Sequence, residues 1–362
     1  MTTAAELASY ASSFPSFRNR IINGDMRIDQ RNGGAQTTIN TTANIYTLDR
    51  WVCSGNISDG VFTVDQVTDA PAGFVNSTKI TVTTADASIG ADESYLFFQF
   101  IEGNNVADLG FGTANAKTIT VSFWVRSSLR GTFGGALNNS ANDRNYPFVY
   151  PIDVADTWEH KTITIAGDTS GTWLTDTNRG IGLRFQIGVG SNRIATAGSW
   201  TGTSTIYGAT GATNLISTLN ATLYITGVQL EVGTVATPFE HRPISVELSL
   251  CKRYFEVWSG IGYNGVGSGG CVATNGVDLI YQFLVQKRSS VTATISAAGD
   301  FYIADSNWGS PRTCNSIGFL YATDKNVFIQ ARSASTNLTI GQSSSFGSNN
   351  TSNAKLNFSA EL

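Results

Sequence analysis

Between Asn19 and Glu231 the chain repeatedly alternates apolar and polar residues over strand-length runs, and this feature restricts its fold more than any other. Successive side chains of a strand point to opposite faces, so a two-residue period gives one face to a core and the other to water. Ile119-Thr-Val-Ser-Phe-Trp-Val125 puts Ile119, Val121, Phe123 and Val125 on one face. Lys79-Ile-Thr-Val-Thr-Thr84 alternates cleanly, and Val61–Val67 does so more loosely. Lys161–Ile165, Gly182–Ile187 and Ala221–Leu230 continue the pattern. Ser94–Ile101 is heavily aromatic and reads as a strand buried on both faces. Composition agrees. Charged residues are 14% of the chain, against ~25% in ordinary globular proteins. Thr favours strands, and the 37 glycines, with Asn, favour the turns between them. Short strands at regular spacing predict an all-β protein built on a sandwich or jelly roll.

The 362 residues exceed one small core and suggest two domains. Residues 1–17 read as an N-terminal peg, with an Ala-rich stretch, Thr3–Ser12, that is too short to be a stable free helix. Residues 18–240 form the expected jelly roll, and Pro238 and Pro243 mark its end. Residues 241–258 form a linker and helix. Leu248, Cys251, Phe255 and Trp258 recur at steps of three and four over Ser245–Trp258 and make one apolar stripe. The stripe either packs on a neighbouring sheet or forms an oligomer seam between helices of several subunits. Residues 259–362 make a smaller β tip domain. Its strands are expected at Leu279–Val285, Val291–Ile295, Ile317–Tyr321, Val327–Ala331 and Leu356–Ala360. Ser259–Gly270 reads as a glycine-rich loop and Ser343–Asn353 as a polar, flexible one.

Several function classes are disfavoured. The net charge of -4 and pI of about 5.2 give no positive field for nucleic acid. No apolar run reaches the ~20 residues that span a bilayer, and the start lacks a secretory leader, so the chain is expected to be made in the cytoplasm and to stay soluble. Cys53, Cys251, Cys271 and Cys314 lack the spacing of a zinc or redox motif; they read as reduced thiols, with a Cys271–Cys314 bridge left open. His160 reads as a surface residue and His241 as a linker residue, neither with a metal-ligand pattern, so neither cofactor nor metal is expected. No G-x-S-x-G elbow supports a nucleophile. A glycosidase needs two spaced carboxylates. Asp92/Glu93 and Asp153/Asp156 are the pairs available, and adjacent loop acids are usually solvated. No catalytic residue is assigned.

Five strings carry a resemblance: FRNRIINGDMRIDQRNGG (Phe17–Gly34), YTLDRW (Tyr46–Trp51), VSFWVRSS (Val121–Ser128), TWEHKTITIAGDTSGTW (Thr157–Trp173) and LYITGVQLEVGTVATPFEHRPISVELSLCKRYFE (Leu223–Glu256). They resemble a module of bacteriophage tail fibres, and the ending FSAEL (Phe358–Leu362) is similar to chain ends in that group. The resemblance implies a carbohydrate-binding-module-like jelly roll followed by a fibre tip, usually in a homotrimer. It also implies attachment to a tail or baseplate adaptor, here through the N-terminus, and contact with a host-surface glycan. In related sugar-binding modules an Asp in the closing strand helps to hold calcium. Ile225-Thr226-Gly227-Val228 has no carboxylate there. Asn23, Asp25, Asp49 and Arg50 would need partners if buried. Arg27, Asp29, Arg31 and Asp49 read as an ion-paired clasp where the first strand meets the next.

Sugar rings stack on aromatic rings, so Trp173, Trp200, Tyr146, Tyr263 and Trp308, which sit in or beside polar loops, are the candidate carbohydrate contacts. Burial is the competing reading for each. The function expected is a non-enzymatic virion protein, a short tail fibre that adheres to the host surface. The alternatives are a decorating or capsid- or baseplate-joining protein, and a polysaccharide-degrading tail enzyme.

Overall fold

A computed structural model describes residues 17–54, 59–202, 205–306 and 311–362. The expected N-terminal peg, Thr3–Ser12, lies outside them, as does Trp308. The chain falls into two compact units. One holds, among the described residues, 17–27, 34–45 and 51–242. The other holds Ile28–Gly33, Tyr46–Arg50 and Pro243–Leu362.

The first unit is a sandwich of two six-stranded sheets. One sheet contains β1 (Thr37–Ile39), β4 (Val61–Val67), β5 (Ser77–Thr84), β7 (Ile119–Ser127), β10 (Glu159–Ile165) and β14 (Thr222–Val232), in the order β1-β4-β5-β14-β7-β10. The other contains β2 (Ile45–Leu48), of which only Ile45 is assigned to this unit, β3 (Trp51–Ser54), β6 (Ser94–Glu102), β8 (Gly131–Asn138), β9 (Asn145–Ile152) and β11 (Arg179–Val189), in the order β2-β3-β6-β11-β8-β9. Two short strands, β12 (Ile194–Ala195) and β13 (Gly208–Ala209), pair in parallel. From β5 onward the chain crosses between sheets, and β14 returns to lie between β5 and β7. That winding makes a jelly roll.

The alternation seen in the sequence is what closes the sandwich. Phe123 of one sheet meets Phe185 of the other with ring centroids 5.0 Å apart. Trp51 stacks on Phe97 at 4.8 Å. Ile119, Val121, Phe123 and Val125 are all fully buried. Strands β8 and β9 escaped the sequence reading because of Gly134, Gly135, Pro147 and Pro151. Gly135 is a packing residue rather than a turn: a Cβ there would sit 2.1 Å from the Arg184 carbonyl oxygen.

In the second unit the helix α1 covers only Ile244–Lys252. The expected helix over Ser245–Trp258 is therefore corrected. Phe255 and Trp258 lie on β15 (Phe255–Ser259), paired with β23 (Lys355–Ser359) in the register Phe255↔Ser359 and Trp258↔Leu356. Aromatic and β-branched residues in Phe255-Glu-Val-Trp258 favour a strand once a partner edge is present. Cys251 and Phe255 are buried within the unit, Leu248 and Trp258 are half-buried, and Trp258 packs on Phe301. The four residues do not form one helical seam.

β18 (Thr292–Ile295) completes a sheet with β23 and β15. β16 (Gly265–Ala273), β17 (Gly276–Gln282), β19 (Phe301–Asp305), β20 (Arg312–Leu320), β21 (Asn326–Ser333) and β22 (Ser343–Ser348) close a barrel. Two expected loops are strands here. The glycine-rich stretch becomes β16 and the serine-rich stretch becomes β22, and they pair with each other, Gly269 opposite Ser344. A Cβ on Gly269 would lie 2.1 Å from the Asp278 carbonyl oxygen. Close backbone approach, not turn formation, requires that glycine. Phe301, Ile303, Val327, Ile329, Phe346 and Phe358 form the core. Cys271 and Cys314 pack in it, Cys53 and Cys251 are also buried, and none of the four forms a disulfide.

Parts of three of the resemblance strings, and the FSAEL ending, meet in this unit. Arg31 and Arg50, from two separate stretches, both form ion pairs with Glu361, Arg31 at 3.0 Å. The Arg50 guanidinium lies over the Tyr254 ring at 3.6 Å and that of Arg31 over Phe255 at 3.6 Å. Arg288 donates to the carbonyls of Ala360 and Glu361. This corrects the expected clasp: Arg31 pairs with Glu361 and Arg27 with Asp25. Asp49 accepts from the Gln30 main-chain N–H at 2.9 Å and from its side chain. Asp29 accepts from the Asn32 N–H. Arg27 pairs with Asp25 in the sandwich. Burial raises Asp49 to about 6, against the pull of its Gln30 hydrogen bonds.

Candidate functional site

A groove of about 400 Å³ opens on the outer face of the β6–β11 sheet. Its floor follows from the two-residue period of β6. Tyr95, Phe97, Gln99 and Ile101 alternate with Leu96, Phe98 and Phe100, and the second set lines the groove. Phe98 and Phe100 lie 4.8 Å apart.

The neighbouring strand supplies the charge. Arg184 stands opposite Phe98 in the β6–β11 register. Its guanidinium carbon lies 5.6 Å from the Phe98 centroid, 5.5 Å from that of Phe100 and 4.7 Å from that of Tyr207. Arg179 covers Phe100 at 4.6 Å. Gly182 leaves room for this arrangement, since a Cβ would sit 3.2 Å from both Arg184 Nη1 and the Phe100 ring. Arg184 donates to Asn138 Oδ1 and, at 3.2 Å, to Asn142 Oδ1. Arg179 donates to Asn142 Oδ1 at 3.0 Å and to the carbonyls of Asn139 and Ser140. Asn142 holds a left-handed backbone, φ 55°, a conformation Asn tolerates. Burial, and then repulsion from Arg179, push Arg184 down to about 9, so it stays charged at neutral pH. At the rim Arg193 pairs with Asp92 at 3.3 Å. Rings, amides, hydroxyls and guanidinium donors thus share one groove of ordinary ligand-site size (~300–1,000 Å³).

The described aromatic residues singled out from sequence, Trp173, Trp200, Tyr146 and Tyr263, lie elsewhere. Trp173, Trp200 and Tyr146 do come together, joined by Phe111, with Trp173–Trp200 at 5.4 Å and Tyr146–Trp200 at 5.2 Å. They pack mainly on one another. Each indole N–H is spent on a main-chain carbonyl, Trp173 on Ser170 and Trp200 on Ala166. The cavity beside Trp173 and Phe111 is only about 140 Å³. Tyr263 is 55% exposed and meets Tyr302 edge-on, in the second unit. The sequence reading missed Phe98, Phe100, Arg179, Arg184 and Tyr207. The signal was present as two arginines inside Arg179-Gly-Ile-Gly-Leu-Arg-Phe-Gln-Ile-Gly-Val189, a strand otherwise apolar enough to be buried.

A second pocket, about 440 Å³, lies against the other sheet. Phe74, Trp124, Phe239 and both histidines, His160 and His241, line it. Burial holds His160 below its usual range. Gly227, at φ 62°, is required here, because a Cβ would meet the Phe74 ring at 2.6 Å. Asp59, Asp86 and Glu93 place carboxylate oxygens within 4.8 Å of one another and are the residues that could hold a cation. Asp86 already accepts from the Ser88 N–H and the Tyr95 hydroxyl, and Glu93 from the Gly90 N–H.

No family model and no curated protein matches the chain. Among solved structures, it is similar to the enzymatically active domain of tailspike protein 4 of bacteriophage CBA120, at 10% identity and a TM-score of 0.32 over 59% of this chain. The matched part spans about a fifth, 21%, of that tailspike chain. A family 11 carbohydrate-binding module from Clostridium thermocellum is 10% identical, with a TM-score of 0.28, over 56% of this chain and 98% of the module. A CBM22-1 xylan-binding domain from Paenibacillus barcinonensis is 10% identical, with a TM-score of 0.27, over 56% of this chain and 97% of the domain. Likeness at this level assigns no function.

Proposed function

We propose that this protein is a bacteriophage tail protein that binds a host-surface glycan in the Phe98–Phe100 groove and carries out no reaction on it. The lining of the groove carries the proposal. A sugar ring can set its C–H face against the half-buried Tyr207, above Phe98 and Phe100, which are buried beneath the arginines, and its hydroxyl oxygens against guanidinium and amide donors. The tail assignment rests on the five sequence strings and the FSAEL ending. Asp92 is the one carboxylate among the described lining residues, and it is committed to Arg193 and Asn192. Glycoside hydrolysis needs two carboxylates ~5–9.5 Å apart. Asp153 lies 3.7 Å from Lys161 and does not line the groove.

Titrating host-surface polysaccharide into the protein should give saturable binding that Phe100→Ala weakens about tenfold. Equal affinity in the variant would remove the groove from the proposal. Shortened polysaccharide after incubation would replace binding by hydrolysis. Microscopy of particles carrying a labelled copy should place it on the tail, and a capsid position would favour a decorating role.

We also assign the chain a homotrimeric state, in which three grooves turn weak contacts into firm attachment. The stripe does not continue as a helix past Lys252, so the contact proposed is an outward apolar row on the barrel: Ile280 lies opposite Phe328, and Phe328 opposite Leu320, with Ile280 55% and Leu320 41% exposed. Light scattering that returned a monomer would dismiss this assignment.

A further inference from the structure

We infer that the glycan bound in the groove is acidic, carrying a carboxylate or phosphate group that seats against Arg179 and Arg184. The inference rests on the glycan reading above and names the ligand class of the same site. Three guanidinium groups and a single carboxylate line the groove, an excess of two positive charges in a chain whose net charge is -4. Arg193 is neutralised by Asp92. Arg179 and Arg184 are not: their hydrogen-bond partners are the side chains of Asn138 and Asn142 and the carbonyls of Asn139 and Ser140, all neutral. Among the described residues neither makes an ion pair, and the buried Nε of Arg179 has no acceptor.

A buried cation without a counter-charge is costly, and a neutral hydrogen-bonding residue could serve a neutral sugar without that cost. Two such cations side by side repel, and Arg184 is held down by Arg179 as well as by burial. An oxyanion between them would relieve both penalties and take the unused donor. Arginine suits this task, because its fork pairs bidentately with carboxylate or phosphate. The rings beneath keep the guanidinium planes in place and exclude water on one side.

The test is a glycan array on which each acidic glycan is printed beside its neutralised form: uronate-containing glycans beside their methyl esters, and phosphorylated glycans beside their dephosphorylated forms. The full chain should bind the charged member of at least one pair at least tenfold better. Which kind of pair responds separates carboxylate from phosphate. Binding should weaken as salt is raised from 50 to 500 mM, since screening shortens from ~14 to ~4 Å. Arg179→Gln should abolish the preference. Asp92 is 60% exposed, so Asp92→Asn is safe for folding; by freeing Arg193 it should tighten acidic binding about threefold. Equal binding to both members of every pair, unaffected by Asp92→Asn, would overturn the acidic assignment and leave the glycan reading standing. Absence of binding to every glycan would overturn both.

Discussion

Two aromatic groups on the same sandwich met opposite fates. Trp173, Trp200 and Tyr146 come from polar, glycine-rich surroundings that look exposed, yet they pack together with their indole N–H groups already bonded. Phe98 and Phe100 come from a strand that looks buried on both faces and is buried along its length; they are 2% and 9% exposed beneath the arginines of the groove above them. The difference lies in what covers the rings. Loop aromatics can fold back onto each other and hide. Strand aromatics held in a sheet cannot move, so their cover must be brought to them, and here it is a pair of arginines. A fixed ring beneath a charged cover makes a better recognition surface than a ring that is free to collapse.

That contrast can be broken by mutation. Arg184→Ala should have the largest effect. It uncovers Phe98 and Phe100 and leaves Asn138 short of a donor, so we expect a stability loss of about 3 kcal/mol by chemical denaturation and loss of measurable glycan binding. Trp200→Ala should cost about 2–3 kcal/mol, since it removes a half-buried indole and its bond to Ala166, while leaving glycan affinity unchanged. A matching loss of affinity would put the tryptophan cluster back in the site.

Asp49→Ala tests the clasp as a structural element distinct from the groove. It should lower the melting temperature by an amount equivalent to about 1–2 kcal/mol, because Gln30 loses its acceptor. The sign of its pH dependence follows from the raised folded value, about 6, against ~3.9 in an unfolded chain. Asp49's contribution is full below about pH 4 and is lost as pH rises through 6. The gap between wild type and variant should therefore be wider at pH 4.5 than at pH 7.5. The smallest effect concerns fluorescence. Among the described residues no tryptophan lines the groove, so glycan titration should barely change tryptophan emission. A strong quench would move binding towards Trp173 and Trp200.

The sequence disclosed the strands wherever alternation was unbroken. Val61–Val67 is β4 residue for residue, and Ser94–Ile101 and Ile119–Val125 fall within β6 and β7. It hid the strands in which glycine serves close approach, namely β8, β16 and β22, since glycine alone cannot distinguish a turn from a tight backbone contact. It hid the groove because a buried arginine and a surface arginine are the same letter. Only the partnering of Arg184 with neutral groups separates them.

The second unit has an origin split along the gene. Arg31 and Arg50 reach Glu361 across 330 and 311 positions of sequence. Pro243–Leu362 expressed alone would lack Ile28–Gly33 and Tyr46–Arg50, and Glu361 would lose both of its guanidinium partners. Such long-range closure makes for slow assembly, and it would come late during synthesis on the ribosome. It also constrains recombination. A crossover that replaced only the stretch holding Glu361 would leave it facing a foreign socket, so a functional exchange of this unit must carry matching pieces from all of its separated stretches.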